Sequence, residues 1–215
     1  MTELLLSITI FMTLHISAMA IFVKLCGVKI KEITYGAGPT LARIGIFQFK
    51  PLPLSGYVKT LDSRESEVSE KEKRFAFNHQ PVWVQVFVPL SGCLFLLILS
   101  ILIQGENVMS SFIGAFPQMI FGAFSPLSEA QNLIREAHLF IQKNSLLTVI
   151  VIAQTKLVAF NPLPLTIFNG GQAIVGLIKW GKSSTNWETV AAQVSLVIAI
   201  VLIGSWLTAI IYYAW

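Results

Sequence analysis

Hydrophobic residues in this chain gather into a few long runs separated by short polar stretches. Residues 4–26 form the first run. About 20 helical residues cross a bilayer core, so this run predicts a membrane span. Further runs predict spans over about 82–103, 139–160 and 190–212. The last ends in Trp206, Tyr212, Tyr213 and Trp215, as an interfacial aromatic belt would. Between the first two spans the period changes. Val28-Lys29-Ile30-Lys31-Glu32-Ile33-Thr34-Tyr35 alternates apolar and polar residues like a half-exposed strand. Gly36-Ala37-Gly38-Pro39 supplies a turn, Arg43 to Lys50 reads as a second strand, and residues 51–59 read as an extended apolar loop. The expected product is a β-hairpin region over 28–60. Its unpaired edge either accepts another extended chain or simply plugs the helix bundle.

The remaining segments are more polar. Residues 62–74 are a mixed charge run expected on a solvated loop. Residues 105–135 read as a mixed connector in which Ser125 or Ser128 caps an amphipathic helix leading into the third span. After that span comes Asn161-Pro162-Leu163-Pro164-Leu165-Thr166-Ile167-Phe168-Asn169-Gly170-Gly171-Gln172. Two prolines so close cannot continue a helix, and Asn-Gly-Gly tolerates unusual backbone angles. A broken helix is expected over 161–172. Irregular backbone at membrane depth survives where protein buries it or where it lines a wet cavity, so this stretch is a candidate site wall. A short helical continuation is expected over 174–180.

Composition sharpens this into one class. Of 215 residues 54% are hydrophobic and 12% charged, with a mean hydropathy of +0.71. Soluble domains carry about 25% charged residues, so an integral membrane protein forming a single domain over 1–215 is expected, with no nucleic-acid partner. Ten of the 15 Lys and Arg residues lie between Lys24 and Arg74, and Lys179 and Lys182 follow the third span. The positive-inside bias then places both basic loops in the cytoplasm and both termini away from it. Cys26 and Cys93 have no metal or redox spacing and read as buried free thiols. The N-terminal run lacks a small-residue cleavage site, so no cleavable signal is expected.

One histidine falls inside a span. In Thr13-Leu14-His15-Ile16-Ser17-Ala18-Met19-Ala20, His15 and Met19 are four apart and share a helical face. A membrane histidine suggests function, or else a neutral ring hydrogen-bonded to a neighbouring helix.

Taken in order, these pieces resemble the site-2 protease family of intramembrane zinc metallopeptidases. That family carries His-Glu-x-x-His in its first core helix, then a Gly-Gly-Tyr-Val-Lys-like element, then Asn-x-x-Pro-x-x-x-x-Asp-Gly-Gly in a broken helix. Here the second element is similar to Pro53-Leu54-Ser55-Gly56-Tyr57-Val58-Lys59. The third is similar to the segment from Asn161 to Gln172, and Ser91-Gly92 stands where the family often has Ala-Gly-Pro. The resemblance implies an all-α membrane protein of about four transmembrane helices, with a small membrane-associated β-hairpin between the first and second. It also implies a bacterial inner-membrane location and a substrate groove at Phe47, Gly56, Tyr57, Asn161, Pro162, Pro164 and Leu165. The connector after the second span is too short for the PDZ domain some relatives insert.

The departures fall on the chemistry. Carried over by position, the family's zinc ligands are His15, Met19 and Asn169, and its general base is Ile16. A thioether is a soft ligand, a neutral amide cannot neutralise the cation, and an isoleucine moves no proton. General acid–base participation is worth roughly 10²–10⁴ in rate. Ser91-Gly92-Cys93-Leu94-Phe95-Leu96 departs again where Ala-Gly-Pro-x-x-Asn is common. The expectation is therefore a pseudoprotease with no cofactor, binding or scaffolding a transmembrane partner within a membrane complex. Two alternatives stand beside it. One is a zinc metalloprotease whose site a partner subunit completes. The other is a metal-binding or transport protein holding copper at His15 and Met19.

Overall fold

A computed structural model of the chain describes residues 2–64, 67–179 and 186–215. Three of its helices are long and apolar enough to cross a membrane. They are α1 (Thr2–Leu25), α3 (Val82–Gln104) and α8 (Asn186–Ala214). Between α1 and α3 lie four strands, β1 (Ile30–Ala37), β2 (Ala42–Ile44), β3 (Phe47–Phe49) and β4 (Leu52–Thr60). A one-turn helix, α2 (Glu70–Lys73), and a 3-10 turn at Phe77–His79 complete that connection. Between α3 and α8 come α4 (Asn107–Phe124), α5 (Glu129–Lys143), α6 (Leu146–Phe160) and α7 (Asn169–Lys179). The core forms where α1, α3 and α6 meet, around Ile16, Val23, Val84, Leu96 and Val158.

The strands depart from a hairpin. They form one mixed sheet in the order β2-β3-β1-β4, with β1 parallel to β3 and antiparallel to β4. Two local causes explain this. Gly45, at φ +61°, turns the chain inside the expected second strand and splits it into β2 and β3. The stretch expected to be a loop is β4. Pro53 is tolerated there because β4 lies at the sheet edge, where a missing N–H need not break a ladder.

The helical region differs at four places. The third apolar run is two elements: residues 139–143 end α5, and α6 starts at Leu146 behind a Ser145 cap whose Oγ accepts from Thr148 N at 3.3 Å. At 1.5 Å per residue, the 15 residues of α6 rise roughly 22 Å, short of a bilayer core of about 30 Å. The connector over 105–135 is largely helical, with α4 apolar and α5 amphipathic. Ser128 occupies the cap position of α5 but its side chain makes no capping bond. The broken segment is narrower than 161–172, because α7 already begins at Asn169. The expected ends of the α7 continuation at Trp180 and of the second basic loop at Lys182 lie outside the described residues.

Candidate functional site

His15 lies near the middle of α1 and is 5% exposed. The ring of Phe11, one turn earlier, stacks on its imidazole with centroids 5.4 Å apart. From α3, Gly92 packs against it so closely that a Cβ there would sit 2.6 Å from both His15 Nδ1 and His15 O. Glycine at this position is thus a condition for α1 and α3 to meet. From α7, Asn169 Nδ2 donates to His15 Nε2 at 3.0 Å. An imidazole that accepts at Nε2 in its neutral form carries its proton on Nδ1. Cys93 Sγ stands 3.9 Å from His15 Nδ1 and 3.8 Å from Asn169 Nδ2.

The segment before α7 is built to deliver Asn169. Asn161 ends α6, and its carbonyl accepts from Gly170 N at 2.7 Å, folding residues 161–168 back on themselves. Gly170 and Gly171 sit so close to Pro162 and Leu165 that an added Cβ would lie 2.2 Å from their backbone. Thr166 N donates to Ser195 Oγ at 3.1 Å, anchoring the fold on α8.

Ile16 and Gly56 meet on the flank of α1 next to His15, about 100° around the helix. Ile16 is 1% exposed, and a Cβ on Gly56 would lie 3.1 Å from Ile16 Cγ1 and 2.9 Å from Met12 Cε. Strand β4 therefore rests on α1 beside His15. Tyr57 points away and donates from Oη to Glu32 Oε1 at 2.6 Å. That bond, with one from Thr34, holds the Glu32 carboxyl below the usual carboxylate range. Phe47 does not join this edge. The strand order places β1 between β3 and β4, so Phe47 pairs with Ile33 on the far side of β1.

The C-terminal end of β4 faces a cavity of about 460 Å³ that Thr166 and Gln172 also line. Its charged wall is paired. Arg64 grips Asp62 through Nε at 2.9 Å and Nη2 at 2.5 Å, and Lys179 pairs with Glu188 while only 7% exposed. Burial pushes the Asp62 carboxyl up, but its bonds to Arg64 prevail and leave it below its ordinary value. Lys59 and Lys179 line one cavity, so the two basic connections meet at the same end of the bundle. His79 and His138 lie elsewhere, bonded to Ser63 and Gln142. Cys93 is the member of the His15 cluster that sequence reasoning passed over as an inert thiol. Its place directly after Gly92 is the signal that could have found it.

Whether this cluster suits zinc is decided by its donors. A catalytic zinc takes three imidazole, thiolate or carboxylate ligands and a water. The positions corresponding to the family's ligands supply one imidazole whose Nε2 accepts a hydrogen bond, one thioether and one neutral amide presenting its N–H. Among the described residues no three His, Cys, Asp or Glu side chains converge on a common point. This donor set does not fit a catalytic zinc.

The elements nevertheless converge on His15. A histidine on the first core helix meets the N-terminus of a helix that follows a proline-broken segment, with an edge strand alongside. The chain belongs to the site-2 proteases, peptidase family M50, whose profile matches residues 3–202. It is 37% identical over 103 residues to a "Putative zinc metalloprotease" of Neisseria meningitidis, covering 46% of this chain and 23% of that protein. It is 32% identical over 105 residues to a protein of the same name from Xylella fastidiosa, covering 46% and 24%. A Thermotoga maritima protein, again so named, is 32% identical over 80 residues, covering 35% and 16%. These matches span about a quarter or less of the length of the curated relatives.

Proposed function

We propose that this chain is a non-catalytic site-2 protease-like membrane protein that holds a partner's transmembrane segment, or an extended stretch next to it, as a subunit of a membrane complex. The observation that carries the reading is the direct bond from Asn169 to His15, where the family's chemistry needs two anion-compatible ligands around a metal. No zinc is required by such a role, and Ile16 has no proton to move. Binding keeps its parts. Strand β4 is an edge strand, and main-chain bonding to an added strand needs no particular side chain. Gly56, Tyr57, Asn161, Pro162, Pro164 and Leu165 form the proposed contact surface, and Phe47 falls outside it. A multi-pass location in a bacterial inner membrane, with both termini away from the cytoplasm, belongs to the same reading.

One observation favours a second reading, a zinc metalloprotease with an atypical or partner-completed site. His15 and Asn169 still converge to 3.0 Å, so a ligand donated by another chain would find two positions already in place. Site-specific photocrosslinking in native membranes, from Tyr57 and Leu165 with the exposed Val201 of α8 as control, tests the binding reading. A discrete protein adduct from the first two positions alone is expected. Crosslinks to lipid only would remove the main support for a held partner. About one tightly bound zinc per purified chain would favour the second reading.

A further inference from the structure

A second cavity of about 440 Å³ lies away from His15, between α4, α5 and α6, and Leu4 of α1 and Trp206 of α8 also line it. Its size is that of a small-molecule site, for which roughly 300–1,000 Å³ is usual. Most of the wall is apolar. The amphipathic α5 contributes Leu133, Ile134 and Phe140 from one face, and α4 adds Ala115 and Met119. Two charges interrupt this wall. Lys156 stands in the otherwise uncharged α6, and Glu136 stands on α5. Both residues are exposed rather than sealed in the core. Lys156 donates to Gln118 Oε1 at 2.6 Å, which uses one of its three N–H donors. Glu136 lines the same cavity as Lys156, yet among the described residues the two form no ion pair. The cavity is therefore apolar along most of its length, and it presents a cation and an anion that are near each other without closing together.

We propose that this cavity binds a phospholipid with a zwitterionic phosphate–ammonium headgroup, its phosphate on Lys156, its ammonium on Glu136 and one acyl chain along the α4–α5 wall. Charge complementarity selects the headgroup. A carboxylate or a purely anionic phosphate would leave Glu136 facing like charge, and a neutral diacylglycerol would leave both side chains unanswered. The setting selects the source: Leu4 and Trp206 on the cavity wall belong to α1 and α8, two of the helices long and apolar enough to cross a membrane, where phospholipid is the surrounding solvent. The site is separate from the His15 cluster and does not depend on whether that cluster cuts, holds or binds metal.

The test uses the full chain in detergent micelles, with native mass spectrometry reading retention of phosphatidylethanolamine, phosphatidylglycerol and diacylglycerol of equal chain length. Phosphatidylethanolamine should be retained about tenfold more tightly than diacylglycerol, the scale of one or two charge-assisted hydrogen bonds. Lys156→Met and Glu136→Gln should each lower that preference by a similar factor, about tenfold. Lys156→Arg should keep it. Equal retention of all three lipids by the unmodified chain would overturn the site without any variant having to fold. Tighter retention of phosphatidylglycerol, or a preference indifferent to Glu136→Gln, would overturn the zwitterionic assignment.

Discussion

The decisive perturbation at the His15 cluster is to return two ligands without returning the base, as Met19→His with Asn169→Asp. Zinc bonds of about 2.0–2.1 Å at the tetrahedral angle place two ligand atoms roughly 3.3 Å apart. Asn169 Nδ2 and His15 Nε2 stand 3.0 Å apart, so a carboxylate oxygen in that place needs a shift of only about 0.3 Å to share a metal with the imidazole. The remaining ligand comes from position 19, one turn along the same helix and 9% exposed. Burying an unligated imidazole there costs on the order of 1–3 kcal/mol. Structural zinc sites in small peptides supply about 10 kcal/mol or more at neutral pH, so ligation should prevail over that cost.

The double variant is therefore expected to bind about one zinc per chain, measured by elemental mass spectrometry of protein whose helicity matches the parent. Adding Ile16→Glu should add little activity. Ile16 is sealed between α1 and β4, 1% exposed beneath Gly56, so a glutamate there has neither room nor a path to a metal-bound water. A well-folded double variant that binds no zinc would refute the reasoning, since it would mean that position 19 does not share the face of His15.

Three further outcomes follow from other parts of the molecule. Gly92→Val should destabilise the chain by about 1–3 kcal/mol through overpacking against His15, read from unfolding in mixed micelles, whereas Gly114→Val, with nothing near its added carbon, should not. Glu32 has a depressed folded-state pKa, so its contribution is present above its unfolded value of about 4.3 and fades as pH falls through the folded value. Protease sensitivity of the sheet should accordingly rise at acid pH, and Glu32→Gln should flatten that dependence. Cysteine labelling at Lys59 and Lys182 should mark both as cytoplasmic, and an external Lys182 would contradict the charge-based orientation.

The sequence made the fold legible where one periodicity ran unbroken. The runs now seen as α1, α3 and α8 could be read by length, because a span is a local property. The sheet could not be read that way. Which strands pair is a long-range choice, and β1 takes β4, some 20 residues on, in preference to its sequence neighbour because Gly45 ends β2. The α5–α6 junction was hidden inside one apolar-looking run, where Asn144-Ser145 carries a cap that hydropathy averages away. At the site, the family motifs placed His15 and Asn169 in contact, and the structure brings them together. Phe47 stands on β3, with β1 between it and β4, a separation that a hairpin reading does not show. Lys156 was passed over as one charge in a hydrophobic span, and only the packing of α4 and α5 shows what it faces.

Holding and cutting make separable demands on this scaffold, and the separation runs along α1. Cutting needs anionic ligands and a base, none of which Met19, Asn169 and Ile16 supply. Holding needs what stands on the Gly56 side: a strand edge fixed against the helix. The hydrogen bond from Asn169, the stacking of Phe11 and the close approach of Gly92 tie α7 and α3 to α1 at one residue. One such neutral bond is worth about 1 kcal/mol net, modest against the binding energy of a metal. It is nevertheless enough to keep His15 satisfied in the core. On this scaffold the ligands can therefore change without moving the edge, and a chain selected only to hold would be free to lose them.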